Sequence, residues 1–161
     1  MATNIKRLNH AVLWVNDVAR SAEFYQNVLG FTEVERMGDF ACFMRGSASD
    51  NHHDLAVMRA QGPSPVRPGA TGLYHLAWQV ETIEELVEAA VLLSQVGSLA
   101  GMSDHGVSKS LYAKDPDGIE FELMWMVPRE DWGDAGEHGY TRHLDLRKEL
   151  EKYGVATAVR D

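Results

Sequence analysis

The sequence predicts an α+β fold built from two tandem β-α-β-β-β modules, and three observations carry that reading. A strand-helix pattern near the start recurs after a shift of 65 residues, which lays His75 on His10, Val80 on Val15 and Ile83 on Val18. The stretch from Asp104 to Met126 alternates as two strands around Asp115-Pro116-Asp117-Gly118, a turn in which proline sets φ and glycine tolerates a positive one. Glu122 stands among Phe121, Leu123, Met124 and Trp125, a poor place for a charge unless a cation or an acid proton meets it there.

In chain order, Ile5 to Val15 alternates as a strand, with Leu8, His10, Val12 and Trp14 on one face and Asn9, Ala11, Leu13 and Val15 on the other. Both faces are mostly apolar, so burial on two sides is expected. Asn16 or Asp17 caps a helix to about Leu29, with Val18, Ala22, Tyr25 and Leu29 at helical spacing and Gly30 as its stop. Phe31–Met37, Asp39–Arg45 and His53–Arg59 read as strands, split by Gly38 and the polar Gly46–Asn51 turn. The pattern restarts with a strand over Gly72–Val80. Thr82 and Glu85 form a capping-box pair ahead of a helix over Ile83–Val96, and a strand, a bend and the hairpin follow. In the hairpin Ser108, Ser110 and Tyr112 share one face and Lys109, Leu111 and Ala113 the other. Glu120 and Glu122 share a face of the last strand, which begins at Ile119.

Residues 1–128 are expected to form a single domain, its modules spanning about 4–60 and 72–128 around a Pro/Gly-rich linker, 61–71. Residues 129–161 form a C-terminal extension: Trp132–Gly139 is loop-like, and Leu146, Leu150 and Tyr153 mark a short amphipathic helix. Its apolar stripe needs a surface, either the pocket or a neighbouring subunit.

Composition narrows the function. With 161 residues and 45% hydrophobic content the chain can fill one core, and a formal net charge of -9 argues against nucleic acid or an anionic membrane as partner. Cys42 alone cannot form an intrachain disulfide and reads as a small buried hydrophobe. The sequence has no signal-peptide core and no apolar run of about eighteen residues, so a cytoplasmic protein is expected.

The duplication sets His10 and His75 at matching points of two opening strands. With Glu122 they make a 2-His-1-carboxylate set, which holds Fe(II) on one face and leaves the other open; the two modules then form a curved mixed sheet around a metal site. Taken singly, each residue has a plainer reading. A strand histidine is more often a hydrogen-bonded core or surface residue. His52-His53 could end a strand beside a polar turn, His105 could be an ordinary turn residue before Gly106, and Tyr112 could pack a sheet face with its hydroxyl at the rim. His138 and His143 lie in the polar tail and take no role.

The segments LNHAVLWVNDVARSAEFYQNVLGF, GLYHLAWQV and SLYAKDPDGIEFELMW resemble the vicinal oxygen chelate superfamily over Asn4 to Trp125. That scaffold hosts isomerases, epimerases, drug-binding proteins and ring-cleaving dioxygenases, so the site must decide the chemistry. The short type I extradiol dioxygenases are the branch most similar here. Their metal ligands match His10, His75 and Glu122, the histidine of their H-D-x-A strand matches His53, their H-G histidine matches His105, and their tyrosine ten residues before the glutamate matches Tyr112. Many of those enzymes carry two module pairs and this chain has one, so their domain arrangement does not carry over.

The resemblance implies Fe(II), with Mn(II) as the other ion these ligands accept. It also implies a small aromatic diol of the catechol type and O2 as reactants, with cleavage beside the two hydroxyls. His105 and Tyr112 would accept or orient substrate protons, and His53 would face the open positions and donate a proton as the O–O bond breaks. A homodimer or higher homo-oligomer is expected; the metal site lies within one chain or is shared between two subunits, an exchange of modules that the proline-rich joint would permit. The alternatives are a glyoxalase- or epimerase-like metal-dependent isomerase and a metal-free drug-binding protein. The first generally uses four protein ligands, yet the same shift of 65 carries Glu122 onto Val57, which cannot ligate. The second has no need of three matched ligands.

Overall fold

The computed structural model describes residues 2–62 and 69–154 and divides the chain into two units, Met1–Ala70 and Thr71–Asp161. Most of the expected linker lies outside the described residues. The first unit runs β1 (Ala11–Val15), α1 (Val18–Leu29), β2 (Thr32–Met37), β3 (Ala41–Arg45) and β4 (Leu55–Arg59). Its sheet has the order β1-β4-β3-β2, with β1 parallel to β4 and the other pairs antiparallel. The second runs β5 (Leu76–Val80), α2 (Ile83–Gln95), β6 (Leu99–Asp104), β7 (Ser108–Lys114) and β8 (Glu120–Met126), followed by two 3-10 turns, the two-residue β9 (Arg142–His143) and α3 (Leu146–Tyr153). Its order is β5-β8-β7-β6-β9, again with the opening strand parallel to the last strand of the module. The duplication is therefore present in the topology. It produces two mixed sheets, one from each β-α-β-β-β module.

Local chemistry explains the helix limits. The Asp17 carboxylate accepts the Arg20 amide at the start of α1, and Gly30, in the left-handed region at φ 69°, ends it while the Phe31 amide turns back to the Tyr25 carbonyl. Phe31 thus belongs to the helix stop, and β2 starts one residue later. At α2, Thr82 and Glu85 cap each other reciprocally, as the sequence indicated.

The opening strands are shorter than expected. Pairing between β1 and β4 begins at Ala11 and Leu55, so residues 2–10 have no partner strand among the described residues and lie outside regular structure. His10 sits one residue ahead of β1, His75 one residue ahead of β5, and His53 two residues ahead of β4. The three histidines project from strand mouths and not from within strands. The two-sided burial expected for the first strand is also corrected: Leu13 and Val15 are buried, while Val12 and Trp14 on the opposite face are 49% and 61% exposed. Only one face of that sheet is covered by α1, through Val18, Ala22 and Tyr25.

In the second unit Leu111, Ala113, Phe121, Leu123 and Trp125 fill the face toward α2. The stripe of α3 finds its surface inside this unit, where α3 packs on α2 and Tyr153 lies with its ring 5.1 Å from that of Trp125. Among the described residues, no helix is long and apolar enough to cross a membrane.

Candidate metal centre

In the second unit, sheet register assembles the site. Glu122 on β8 lies between Ala77 of β5 and Tyr112 of β7, with its carboxylate largely buried. Its Oε2 is 3.0 Å from Nε2 of His75. Two donors about 2.1 Å from one ion and at right angles stand about 3.0 Å apart, so the pair has the spacing of neighbouring ligands on an octahedral divalent metal. His75 Nδ1 is buried with no hydrogen-bond partner among the described residues, whereas metal-binding histidines usually give that nitrogen to a carboxylate or carbonyl. The donor atoms fit a borderline or hard cation, and the second nitrogen of His75 departs from the usual support.

Beside this pair, the Tyr112 ring stands edge-on to His75 at 5.6 Å, and its hydroxyl lies 3.0 Å from Nε2 of His105. Burial, and next the Glu122 charge, push the Tyr112 phenol above its ordinary range, so it keeps its proton at neutral pH. On the other side of His105, Nδ1 faces the Tyr140 carbonyl at 3.2 Å.

The first unit holds the other two candidates together. The rings of His10 and His53 are 4.6 Å apart, and Phe43 meets His53 edge-on at 5.3 Å. His10 Nδ1 is 2.9 Å from the Asn9 side-chain oxygen; donating there leaves the Nε2 lone pair in the state a metal requires. Burial, and next the neighbouring His10 and His52, lower the pKa of His53, which keeps its ring neutral near pH 7.

Sequence reading missed what holds His53. The Asp54 carboxylate accepts the Gly46 amide at 2.9 Å, the Ser49 hydroxyl at 2.8 Å and the Asn51 amide at 2.7 Å. Asn51 in turn donates to the Asn9 carbonyl at 3.0 Å, tying the loop that ends in His53 to the segment that presents His10. The polar run Gly46–Asn51 was legible only as a turn and Asp54 only as part of the strand after it, although the Asx and serine content is what such a loop-internal network needs. Burial acts to raise the Asp54 pKa, but the Gly46, Asn51 and Ser49 hydrogen bonds outweigh it and hold the carboxyl below its ordinary value. A folded pKa below the unfolded one gives stability that is complete above the ordinary carboxylate range and is lost as pH falls through the depressed value. Asp54→Asn should therefore lower stability at neutral pH and flatten the acid decline below about pH 4. Identical acid-unfolding curves for variant and parent would assign the loop's order elsewhere.

Register also refines the comparison between modules. Ala77-Glu122-Tyr112 in one sheet corresponds to Val12-Ala56-Phe43 in the other, because β1 pairs Val12 with Ala56 and β3 pairs Phe43 with the same residue. The counterpart of Glu122 is thus Ala56, one residue from the Val57 that the repeat shift indicated. A methyl and a phenyl stand where the second unit has a carboxylate and a phenol, so the first unit adds no fourth ligand at that point. His75, Glu122, Tyr112 and His105 lie together in the second unit, and His10 and His53 in the first. Among the described residues, no three His, Cys, Asp or Glu side chains are grouped to enclose an ion.

A chain with this topology, a His-carboxylate pair at the mouth of a parallel strand pair and a duplicated module defines a class before any name. Residues 7–123 match the Glyoxalase/Bleomycin resistance protein/Dioxygenase superfamily, and the chain belongs to it. It is 32% identical over 152 residues to a catechol-2,3-dioxygenase of Bacillus subtilis (strain 168), covering 91% of this chain and 52% of that protein. It is also 33% identical over 121 residues to biphenyl-2,3-diol 1,2-dioxygenase 3 of Rhodococcus globerulus, covering 73% of this chain and 62% of that protein. The chain thus spans between half and two thirds of the length of these curated relatives. A crystal structure of a glyoxylase/bleomycin resistance protein/dioxygenase domain from Frankia sp. EAN1pec superposes with TM-score 0.62 at 24% identity, over 77% of this chain and all of that one, and supports the fold alone.

Proposed function

We propose that the protein is an Fe(II)-dependent extradiol dioxygenase that opens the ring of a catechol-type diol beside its hydroxyls, with His10, His75 and Glu122 as metal ligands and Mn(II) as the alternative ion. The observation that carries this reading is the His75–Glu122 pair, 3.0 Å apart and flanked by a phenol hydrogen-bonded to an imidazole. Relatives named as catechol and biphenyl-diol dioxygenases support it. The replacement of the Glu122 position by Ala56 in the first unit weighs against the four-ligand isomerase.

The metal, when bound, would bring diol and O2 side by side and draw electron density from ring to oxygen. The chain's own part is proton handling. A diol hydroxyl beside Tyr112 passes its proton to the phenol oxygen while Tyr112 passes its own to His105 Nε2, leaving a singly deprotonated diol and an imidazolium. His53, neutral and walled by Phe43, offers a ring N–H as a hydrogen bond to an oxygen that gains charge; once its other nitrogen has taken up a proton from the diol, it can deliver one to that oxygen as the oxygen leaves. Glu122, between Ala77 and Tyr112, would supply the carboxylate ligand beside His75. A homodimer or higher homo-oligomer, in the cytoplasm, completes the proposal; the exposed apolar face of Val12 and Trp14 supports the assembly, and sedimentation velocity tests it.

Anaerobic reconstitution with Fe(II), then addition of a catechol panel with an oxygen electrode and detection of yellow ring-opened product, tests the activity. Oxygen uptake equimolar with product is expected. Loaded protein that consumes no oxygen with any diol but isomerises a thiohemiacetal would replace the proposal. Tyr112→Phe should lower turnover about 100-fold, by removing the proton path, while leaving metal content at the parent level; parent-like kinetics would return Tyr112 to a packing role.

A further inference from the structure

We infer that the C-terminal extension is a positioning device for the proton path: the Tyr140 backbone carbonyl fixes the tautomer of His105, so that Nε2 is the nitrogen that receives the Tyr112 proton. The inference rests on the function proposed for Tyr112 and His105 and adds the element that sets its direction.

The geometry comes from strand pairing. β9 pairs antiparallel with β6, Ser103 opposite His143 and Asp104 opposite Arg142. Continued by two steps, that register brings Thr141 against His105 and Tyr140 against Gly106. His105 Nδ1 lies 3.2 Å from the Tyr140 carbonyl oxygen and 3.2 Å from the Thr141 hydroxyl. A carbonyl oxygen can only accept, whereas the Thr141 hydroxyl can donate or accept; the carbonyl contact is a hydrogen bond only when Nδ1 carries the proton, and the neutral ring then keeps its lone pair on Nε2. At 3.0 Å that lone pair faces the Tyr112 hydroxyl. The opposite tautomer would set two lone pairs face to face at Nδ1 and the carbonyl.

The extension is anchored well enough to impose this. Leu144 is 1% exposed, Asp145 caps α3 through the Lys148 amide at 3.1 Å, and Trp132 donates its indole N–H to the Val127 carbonyl at 2.8 Å. Lys109, buried in β7, is held by Asp104 of β6 and lies 3.6 Å from Glu149 of α3. Gly106 marks how closely the segment approaches. Its φ is +79°, and a Cβ there would stand 2.4 Å from the Ala135 Cβ and 2.9 Å from the Tyr140 ring. Tyr140 therefore rests on Gly106 by its ring, and the Arg142 guanidinium covers the same ring at 4.1 Å. It is a positioning residue, acting through its carbonyl on a histidine it does not otherwise alter.

The test uses the full chain without metal, with ¹⁵N-labelled histidine. Long-range ¹H–¹⁵N spectra should show His105 with a protonated Nδ1 and a bare Nε2. Tyr140→Phe should keep that pattern, because the ring and not its hydroxyl seats the segment. Tyr140→Ala should mix the tautomers and, once loaded with Fe(II), lower kcat for catechol about ten-fold with little change in KM. A protonated Nε2 in the parent overturns the inference whatever the activity. A single Nδ1–H tautomer and unchanged kcat in Tyr140→Ala overturns the part given to the extension. If the dioxygenase reading itself is wrong, no variant turns over catechol, yet the tautomer pattern still tests the structural claim.

Discussion

Glu122→Ala is expected to abolish stoichiometric metal binding while the protein remains folded. Removing a group that merely orients a ligand typically weakens metal affinity by about 10–100-fold, so loss of a ligand, and of the negative charge beside His75, should exceed about 100-fold. Folding should be spared, because a largely buried carboxylate without its cation stabilises little and Ala77, across the parallel pairing, leaves room for a small side chain. Elemental analysis after dialysis against Fe(II), alongside thermal unfolding, separates the two effects. A variant that keeps one equivalent of iron and parent turnover would remove Glu122 from the centre.

The second large effect concerns the opposite face of the same hairpin. Leu111 is fully buried on β7, between Met102 of β6 and Leu123 of β8, on the side that α2 covers. Leu111→Ala should cost about 2–5 kcal/mol, because the cavity cannot collapse between two paired strands. Against a typical total of about 5–15 kcal/mol, that is a large share. Ser110, its neighbour on the other face, is as deeply buried, and its hydroxyl has no partner among the described residues. Ser110→Ala removes a desolvated hydroxyl that gains nothing, so stability should stay level or rise by about 1 kcal/mol. Chemical denaturation of the two variants checks the contrast; equal losses would mean that the faces are not divided as the register says.

Much of the fold was legible because its signals are local. Asp17 and Gly30 bracket α1, Thr82 and Glu85 cap α2, and the Asp115–Gly118 turn fixes the hairpin so that Tyr112 and Glu122 fall opposite each other. Alternation then decides the faces, and the charge at Glu122 in an apolar strand singles out the residue that the structure sets beside His75 and Tyr112. The strand starts were less legible: alternation in Ile5–Val15 and Gly72–Val80 continues past the residues that have partners, and a single strand cannot report where its neighbour ends.

The sequence by itself determined the duplicated module, the hairpin and the chemical types gathered along it, since caps, turns and two-residue periodicity act over a few neighbouring positions. Tertiary structure alone decided that Ala56 and Phe43, and not Val57, answer Glu122 and Tyr112. It alone showed that Asp54 and Asn51 hold the loop of His53, and that a carbonyl 35 residues along the chain lies against His105 Nδ1. Each of these depends on cross-strand register or on a backbone atom brought from far along the chain, and residue spacing carries no record of either.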